Sequence, residues 1–317
     1  MKAVFLDRYA LNPGDLDTSR TVTLCDEVEF FDRTETFEDT VVRIGNAEIV
    51  VTNKAPITEE VLKACPSIRY VTVTATGYNI IDTEACARRG IPVSNVPGYS
   101  TDSVSQHIFA LLLEITNHVA DHSAAVLSGK WQECPDYTFS VSRLSELAGK
   151  TIGFIGMGAI GTKAARIAQA FGMKTVCYHS RSTLENCEHL TLDELLAVSD
   201  VVSLCCPVTA DNQNIINRDT ISKMKNGVIL INTARGGLID EDALAEALWS
   251  GKVAAAGLDV LKTEPPKNSS PLIGAPNCIL TPHIAWAPRE TRARLLRETE
   301  ENILAFIRGE KRNCINL

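Results

Sequence analysis

The feature that most constrains this chain is a run of small and apolar residues near its middle, TIGFIGMGAIG at 151–161. A strand-like stretch leads into Gly156, Gly158 and Gly161, and a helix-like stretch follows. The three glycines serve different physical ends. Gly156 permits the tight turn, Gly158 lets backbone approach a pyrophosphate, and Gly161 lets helix pack close to strand. The N–H groups at the helix start, around Ala159 and Ile160, then meet the phosphates, assisted by the helix dipole. A bare GxGxxG occurs in unrelated turns, and the strand before and helix after are what make this one a dinucleotide-binding signature.

The rest of the chain is organised around that unit. From 150 onwards TIGFIG, KTVCYH, VVSLCC, GVILINTA, AAAGLDV and NCILTP read as six strands, with helical periodicity between them at 160–171 and 240–250. The first hundred residues form another β/α series. Short Val/Ile-rich strands at 2–6, 28–31, 47–52, 69–74 and 91–95 suit a parallel sheet buried on both faces. Helices at 58–64 and 82–89 lie between them, the second ended by Gly90. One long helix is expected over 101–127, where Ile108, Leu111, Leu112 and Ile115 recur at helical spacing. A less regular stretch follows at 128–145, in which Trp131 reads as packing. The chain ends in a charged helix at 289–309. The fold class is therefore α/β: two doubly wound parallel-sheet domains, Rossmann- or flavodoxin-like, with a cleft between them.

Bulk properties exclude several functions. A net charge of −8 argues against a nucleic-acid surface, which needs clustered Lys and Arg to neutralise phosphates. One or two arginines in a pocket still suffice for an anionic substrate. No apolar stretch approaches the ~20 residues needed to span a bilayer, and with no long apolar region or cleavage signal near Met1 no cleavable leader is expected. The ten cysteines are scattered without a CxxC, which reads as reduced thiols in a cytoplasmic protein. No HExxH or Cys/His ligand spacing occurs, so no metal is expected.

The second strand of the glycine-bearing series, 174–179, addresses the choice of cofactor. A carboxylate about 20 residues past the glycines binds the ribose 2′-hydroxyl of NAD. Here the sequence reads His179-Ser180-Arg181-Ser182, with no acid. Loss of the carboxylate removes repulsion against a 2′-phosphate, and Arg181, flanked by Ser180 and Ser182, offers donors to one. The reading tilts to NADP. The alternative is NAD, with Arg181 stacked on adenine or merely exposed.

Three polar residues follow strand ends: Arg235 after VILIN, Glu264 after AAAGLDV, and His283 after CIL. Ligands of open parallel sheets bind at the carboxyl ends of strands, so these residues can converge. The chemistry of a 2-oxo acid matches them. Arg holds its carboxylate and polarises its carbonyl in a fixed fork, and His supplies the proton that accompanies hydride addition. A carboxylate on the other ring nitrogen fixes the tautomer and favours the imidazolium. Taken singly, each residue has a blander reading: a core histidine, a strand-ending arginine before Gly236-Gly237, a loop acid before Pro265-Pro266. Their matching positions favour the site. His107, His118, His122 and His189 read as structural.

With these motifs in order, the sequence resembles the D-isomer-specific 2-hydroxyacid dehydrogenase family over essentially its whole length. The carriers are GxGxxG at 156–161, NxxRGxxxD at 232–240, GLDVxxxEP at 257–265 and TPHIA at 281–285. The resemblance implies a split substrate-binding domain, 1–100 plus 287–317, around a dinucleotide-binding domain, 101–286, and a homodimer built through the latter. It implies Arg235, Glu264 and His283 as catalytic residues, and Ala75, Thr76 and Gly77 as a loop whose N–H groups bind the substrate carboxylate. Further cofactor contacts fall on Cys206, Pro207, Thr209, Thr233, Ala234, Asp259 and His283, with Asp259 near the nicotinamide amide. Most family members that use NAD carry Asp where this chain has His179. Two stretches, SVSQHIFALLLE and HIAWAPRE, resemble the glycerate dehydrogenase/hydroxypyruvate reductase branch, in which Trp286 would wall a small pocket. Two other classes remain open at this stage: a dinucleotide-sensing interaction protein on the same fold, and a methyltransferase, for which the later strand-end motifs have no role.

Overall fold

Val, Ile and Ala crowd the strands of this chain because both faces of each sheet are covered. The computed structural model describes residues 1–180, 184–266 and 270–317, of Ser180 the backbone alone, and they divide into two units, Met1–Ser100 with Ala287–Leu317, and Thr101–Trp286. In the first, strands β1 (Lys2–Phe5), β2 (Glu27–Phe30), β3 (Ile49–Thr52), β4 (Tyr70–Val73) and β5 (Val93–Ser94) pair in parallel in the order β2-β1-β3-β4-β5. Every residue of β3 and β4 is buried. Helices α1 (Phe37–Ile44), α2 (Glu59–Ala64) and α3 (Thr83–Arg88) begin at Thr36, Thr58 and Asp82, whose side-chain oxygens accept N–H bonds from the first turn.

The C-terminal helix, Arg289–Ile307, belongs to this first unit. Phe306 stacks on Tyr70 at 4.5 Å, Asn302 donates to the Asn95 carbonyl at 2.9 Å, and Arg292 grips Asp15 with two 2.7 Å bonds. The Arg292 guanidinium holds the Asp15 carboxyl below the usual carboxylate range. Some of the helix's charges are thus structural.

In the second unit α4 (Thr101–Asn117) and α5 (Val119–Leu127) precede β6 (Thr151–Met157), α6 (Ala159–Ala170), β7 (Lys174–Ser180), β8 (Cys187–His189), α7 (Leu192–Val198), β9 (Val201–Leu204), α8 (Arg218–Lys223), β10 (Val228–Asn232), α9 (Glu241–Trp249), β11 (Val253–Leu258) and β12 (Cys278–Leu280). The sheet is parallel, in the order β12-β11-β10-β9-β6-β7-β8. Its direction of winding reverses between β6 and β9, so the glycine loop after β6 opens at the topological switch point, where such sheets bind ligands.

Two expectations from sequence are corrected. The single helix over 101–127 is two, because His118 takes a left-handed conformation (φ 48°) that ends α4 and redirects the chain. Nine residues of α4 are buried and none of α5 is. The sheet also has a seventh strand, β8, whose Cys-Glu-His carries no apolar pattern because it lies at the edge. Trp131, read as packing, is half exposed. Among the described residues no helix is long and apolar enough to cross a membrane.

The split makes a measurable contrast. Leu112 on α4 is fully buried and Leu127 on α5 is 86% exposed. Leu112→Ala is expected to lower unfolding free energy by about 2–5 kcal/mol. Leu127→Ala should change the single chain's stability by less than about 0.5 kcal/mol, read at a protein concentration too low for self-association. Urea titration of both variants checks this, and equal losses would mean that α5 is packed.

Candidate active site

The second unit gathers its polar residues at the carboxyl ends of β6, β10, β11 and β12. The glycine loop has the geometry its sequence requires. Gly156 has φ 97°, and a Cβ there would lie 2.7 Å from Cys206 Cβ; a Cβ on Gly161 would lie 2.4 Å from the Gly156 carbonyl oxygen. No side chain caps the start of α6, and a Cβ on Gly158 would project into open space. Among the described residues no side chain caps the first-turn N–H groups at Ala159 and Ile160, and they fit a pyrophosphate.

Beside it, Asn212 holds the loop after β9. It donates to the Pro207 carbonyl at 2.8 Å and to Cys206 Sγ at 3.8 Å, while its Oδ1 accepts from Thr209 N–H at 2.6 Å. All three cofactor candidates of this loop are thus tied to one side chain that sequence reasoning overlooked. Burial pushes the neighbouring Cys205 thiol up to about 12, which keeps it a neutral packing group behind the glycines. At the end of β7, His179 has φ 53°, is exposed, and meets the Tyr178 ring edge-on. Arg181 and Ser182 lie outside the described residues, as does the side chain of Ser180.

The loop after β10 explains the spacing NxxRGxxxD. Asn232 is buried; its Oδ1 accepts from Ala234 N–H and its Nδ2 donates to the Arg235 carbonyl, each at 2.9 Å. That clamp fixes Thr233, Ala234 and the backbone of Arg235, whose exposed guanidinium donates to the Ala234 carbonyl at 2.7 Å and keeps further donors available. Gly236 lies against the chain at Leu261, where a Cβ would come within 1.9 Å of backbone. Asp240 caps α9 by accepting from Ala243 N–H. The glycine contact brings the Arg235 loop against the loop that carries Glu264.

Glu264 and His283 form a pair. His283 Nδ1 lies 2.6 Å from Glu264 Oε2, and Glu264 Oε1 accepts from Leu261 N–H at 3.0 Å. A carboxylate only accepts, so Nδ1 carries the proton and Nε2 is the nitrogen left to face a reacting group. Both side chains are about one-third exposed. His283 has φ 54°, held there by N–H bonds to the carbonyls of Asp259 and Thr281.

Asp259, 1% exposed, joins these loops. Its carboxylate accepts from Thr281 Oγ1 at 2.6 Å and from the N–H groups of Ile284 and Ala285 at 2.8 and 2.9 Å; its own N–H donates to the Asn232 carbonyl. Trp286, half-buried, follows directly. In the first unit, Ala75, Thr76 and Gly77 follow β4; Thr76 donates to the Val96 carbonyl at 2.9 Å.

A glycine loop shaped for a dinucleotide, with a carboxylate-backed histidine and an exposed arginine at neighbouring strand ends of the same sheet, defines a nicotinamide-dependent oxidoreductase. Residues 109–285 match the family model for the NAD binding domain of D-isomer specific 2-hydroxyacid dehydrogenases. The chain is 49% identical to a hydroxypyruvate reductase of Blautia hydrogenotrophica over the full length of both, and 36% identical to a glycerate dehydrogenase of Methylorubrum extorquens, covering 99% of this chain and 98% of that one. Among solved structures it is similar to the acyclic imino acid reductase Bsp5 in complex with NADPH and D-Arg (TM-score 0.87, 31% identity, 99% of this chain and 100% of that one). The chain belongs to the D-isomer specific 2-hydroxyacid dehydrogenases, and its substrates are small 2-hydroxy and 2-oxo acids.

The two ends of the NxxRGxxxD stretch do different work. Asp240→Ala is expected to cost about 1 kcal/mol of stability as a lost helix cap, with kcat/KM within about twofold. Asn232→Ala should lower kcat/KM by about tenfold or more by loosening Arg235. Steady-state kinetics and urea melts on both variants decide; a reversed ranking would contradict the clamp.

Proposed function

We propose that this protein reduces hydroxypyruvate or glyoxylate to the D-2-hydroxy acid, favours NADPH over NADH, and uses Arg235, Glu264 and His283 as its catalytic residues. The observation that carries the reading is the 2.6 Å bond between His283 Nδ1 and Glu264. It commits Nε2 to proton transfer and leaves the carboxylate to stabilise the charge His283 bears before it donates. A nicotinamide dinucleotide supplies the hydride when bound. Arg235 holds the acid and polarises its carbonyl, and His283 delivers the proton to the carbonyl oxygen from the face opposite the hydride. The amides of Ala75, Thr76 and Gly77 are assigned to the substrate carboxylate, and Trp286 to the wall of the pocket. The names of two similar relatives, a hydroxypyruvate reductase and a glycerate dehydrogenase, support a small substrate.

The preference for NADPH rests on the residues after β7. His179 stands where a ribose-binding carboxylate would otherwise repel a 2′-phosphate, and Arg181 offers it a planar fork of donors. The solved relative in complex with NADPH supports the same choice. The ten free cysteines fit the cytoplasm.

We further assign a homodimer built through the second unit. Val119, Leu127, Trp131, Tyr137 and Leu144 are each more than half exposed, a run of large apolar side chains on α5 and the loop after it that a monomer would leave in water.

Absorbance of NADPH and NADH in parallel, with purified protein and hydroxypyruvate, tests the activity. Faster oxidation of NADPH is expected. Faster oxidation of NADH would overturn the role of Arg181 and leave the chemistry standing. His283→Ala should lower kcat by about 100- to 10,000-fold. For the dimer, sedimentation equilibrium is expected to give twice the 34.5 kDa chain mass, and Leu127→Glu with Tyr137→Glu half of that value. A wild-type mass of one chain at micromolar concentration would overturn it.

A further inference from the structure

Helical spacing alone gives His107 no part in the site, yet its ring reaches the loop that carries His283. His107 sits on α4, 174 residues from Thr281, and its Nε2 lies 3.0 Å from Thr281 Oγ1 and 3.5 Å from Asp259 Oδ1. The directions of these bonds follow from counting protons. Asp259 is a buried carboxylate that accepts at both oxygens, so the single proton of Thr281 is spent on Asp259 Oδ1 at 2.6 Å. Thr281 therefore meets His107 as an acceptor, and His107 holds a proton on Nε2. The result is a directed chain: His107 N–H to Thr281 O–H to Asp259, which in turn receives Ile284 N–H and Ala285 N–H on either side of the turn following His283.

We infer that His107 is a positioning residue for the reaction. By donating to Thr281 it fixes the rotamer that lets the hydroxyl point at Asp259, and so locks the 281–285 turn, with His283 at φ 54°, against the end of β11. The inference rests on the reading that assigns His283 to proton transfer and Asp259 to the nicotinamide amide. Remove the His107 donor and the Thr281 hydroxyl is free to turn away. A buried carboxylate then loses its shortest bond, and both the cofactor contact and the proton donor drift together.

The side chains that test this differ only in where they place an N–H. Glutamine puts its amide nitrogen near the position of histidine Nε2, and asparagine near that of Nδ1. His107→Gln should retain NADPH affinity and kcat within about threefold, whereas His107→Asn and Thr281→Val should each weaken NADPH binding and lower kcat by about tenfold. The double variant His107→Asn/Thr281→Val should lose no more than either alone, because both break one chain. NADPH dissociation constants, from quenching of intrinsic fluorescence, need no turnover. If the wild-type protein reduces none of the 2-oxo acids offered, the activity reading fails, while the binding series still judges His107. Equal behaviour of the Gln and Asn variants, or additive losses in the double variant, would overturn the inference. A shift in melting temperature with unchanged binding and kcat would mark His107 as structural only and overturn it equally.

Discussion

The second unit depends on one buried carboxylate. Asp259 is nearly inaccessible to solvent, and its cost of burial is offset by three hydrogen bonds to the carboxylate and by backbone bonds to either side. It ties the ends of β10, β11 and β12 into one rigid corner. Without it the turn bearing His283 would be a loop free to sample other conformations. With it, a histidine in a left-handed backbone geometry can be maintained. The Glu264 pair then has a fixed partner to orient.

The site follows a common physical pattern in which side-chain amides do the carpentry of loops. Asn232 clamps the backbone of Arg235, and Asn212 clamps the residues from Cys206 to Thr209. Each satisfies backbone groups that have just left a strand and would otherwise need water. Each also fixes a loop at the carboxyl end of the sheet, which matters because misplacement by about 1 Å can cost a large part of a reaction rate.

Much of this was legible in the sequence, and the reason is steric. Gly156 and Gly161 are read from sequence because backbone sits where a Cβ would be, and Arg235, Glu264 and His283 because each follows an apolar strand that could be recognised by composition. The parts that could not be read depend on contacts remote in sequence or on single torsions. The break at His118 has no Gly or Pro to announce it, and the apolar spacing runs on past it into α5. The edge strand β8 is too short and too polar to show a period. His107 looks like any residue on one face of a helix until Thr281, far along the chain, is placed beside it.

The bare start of α6 has a consequence for the life of the protein. With Gly158 at its N-cap, this helix has no side-chain oxygen to complete its first turn, a place that the pyrophosphate of a dinucleotide would fill on binding. Occupancy by such a ligand would add to folding stability by mass action, about 2.7 kcal/mol when free ligand is a hundred times its dissociation constant. A cell rich in the cofactor would hold this protein folded and shield it from proteolysis, and one depleted of it would see the protein's turnover quicken.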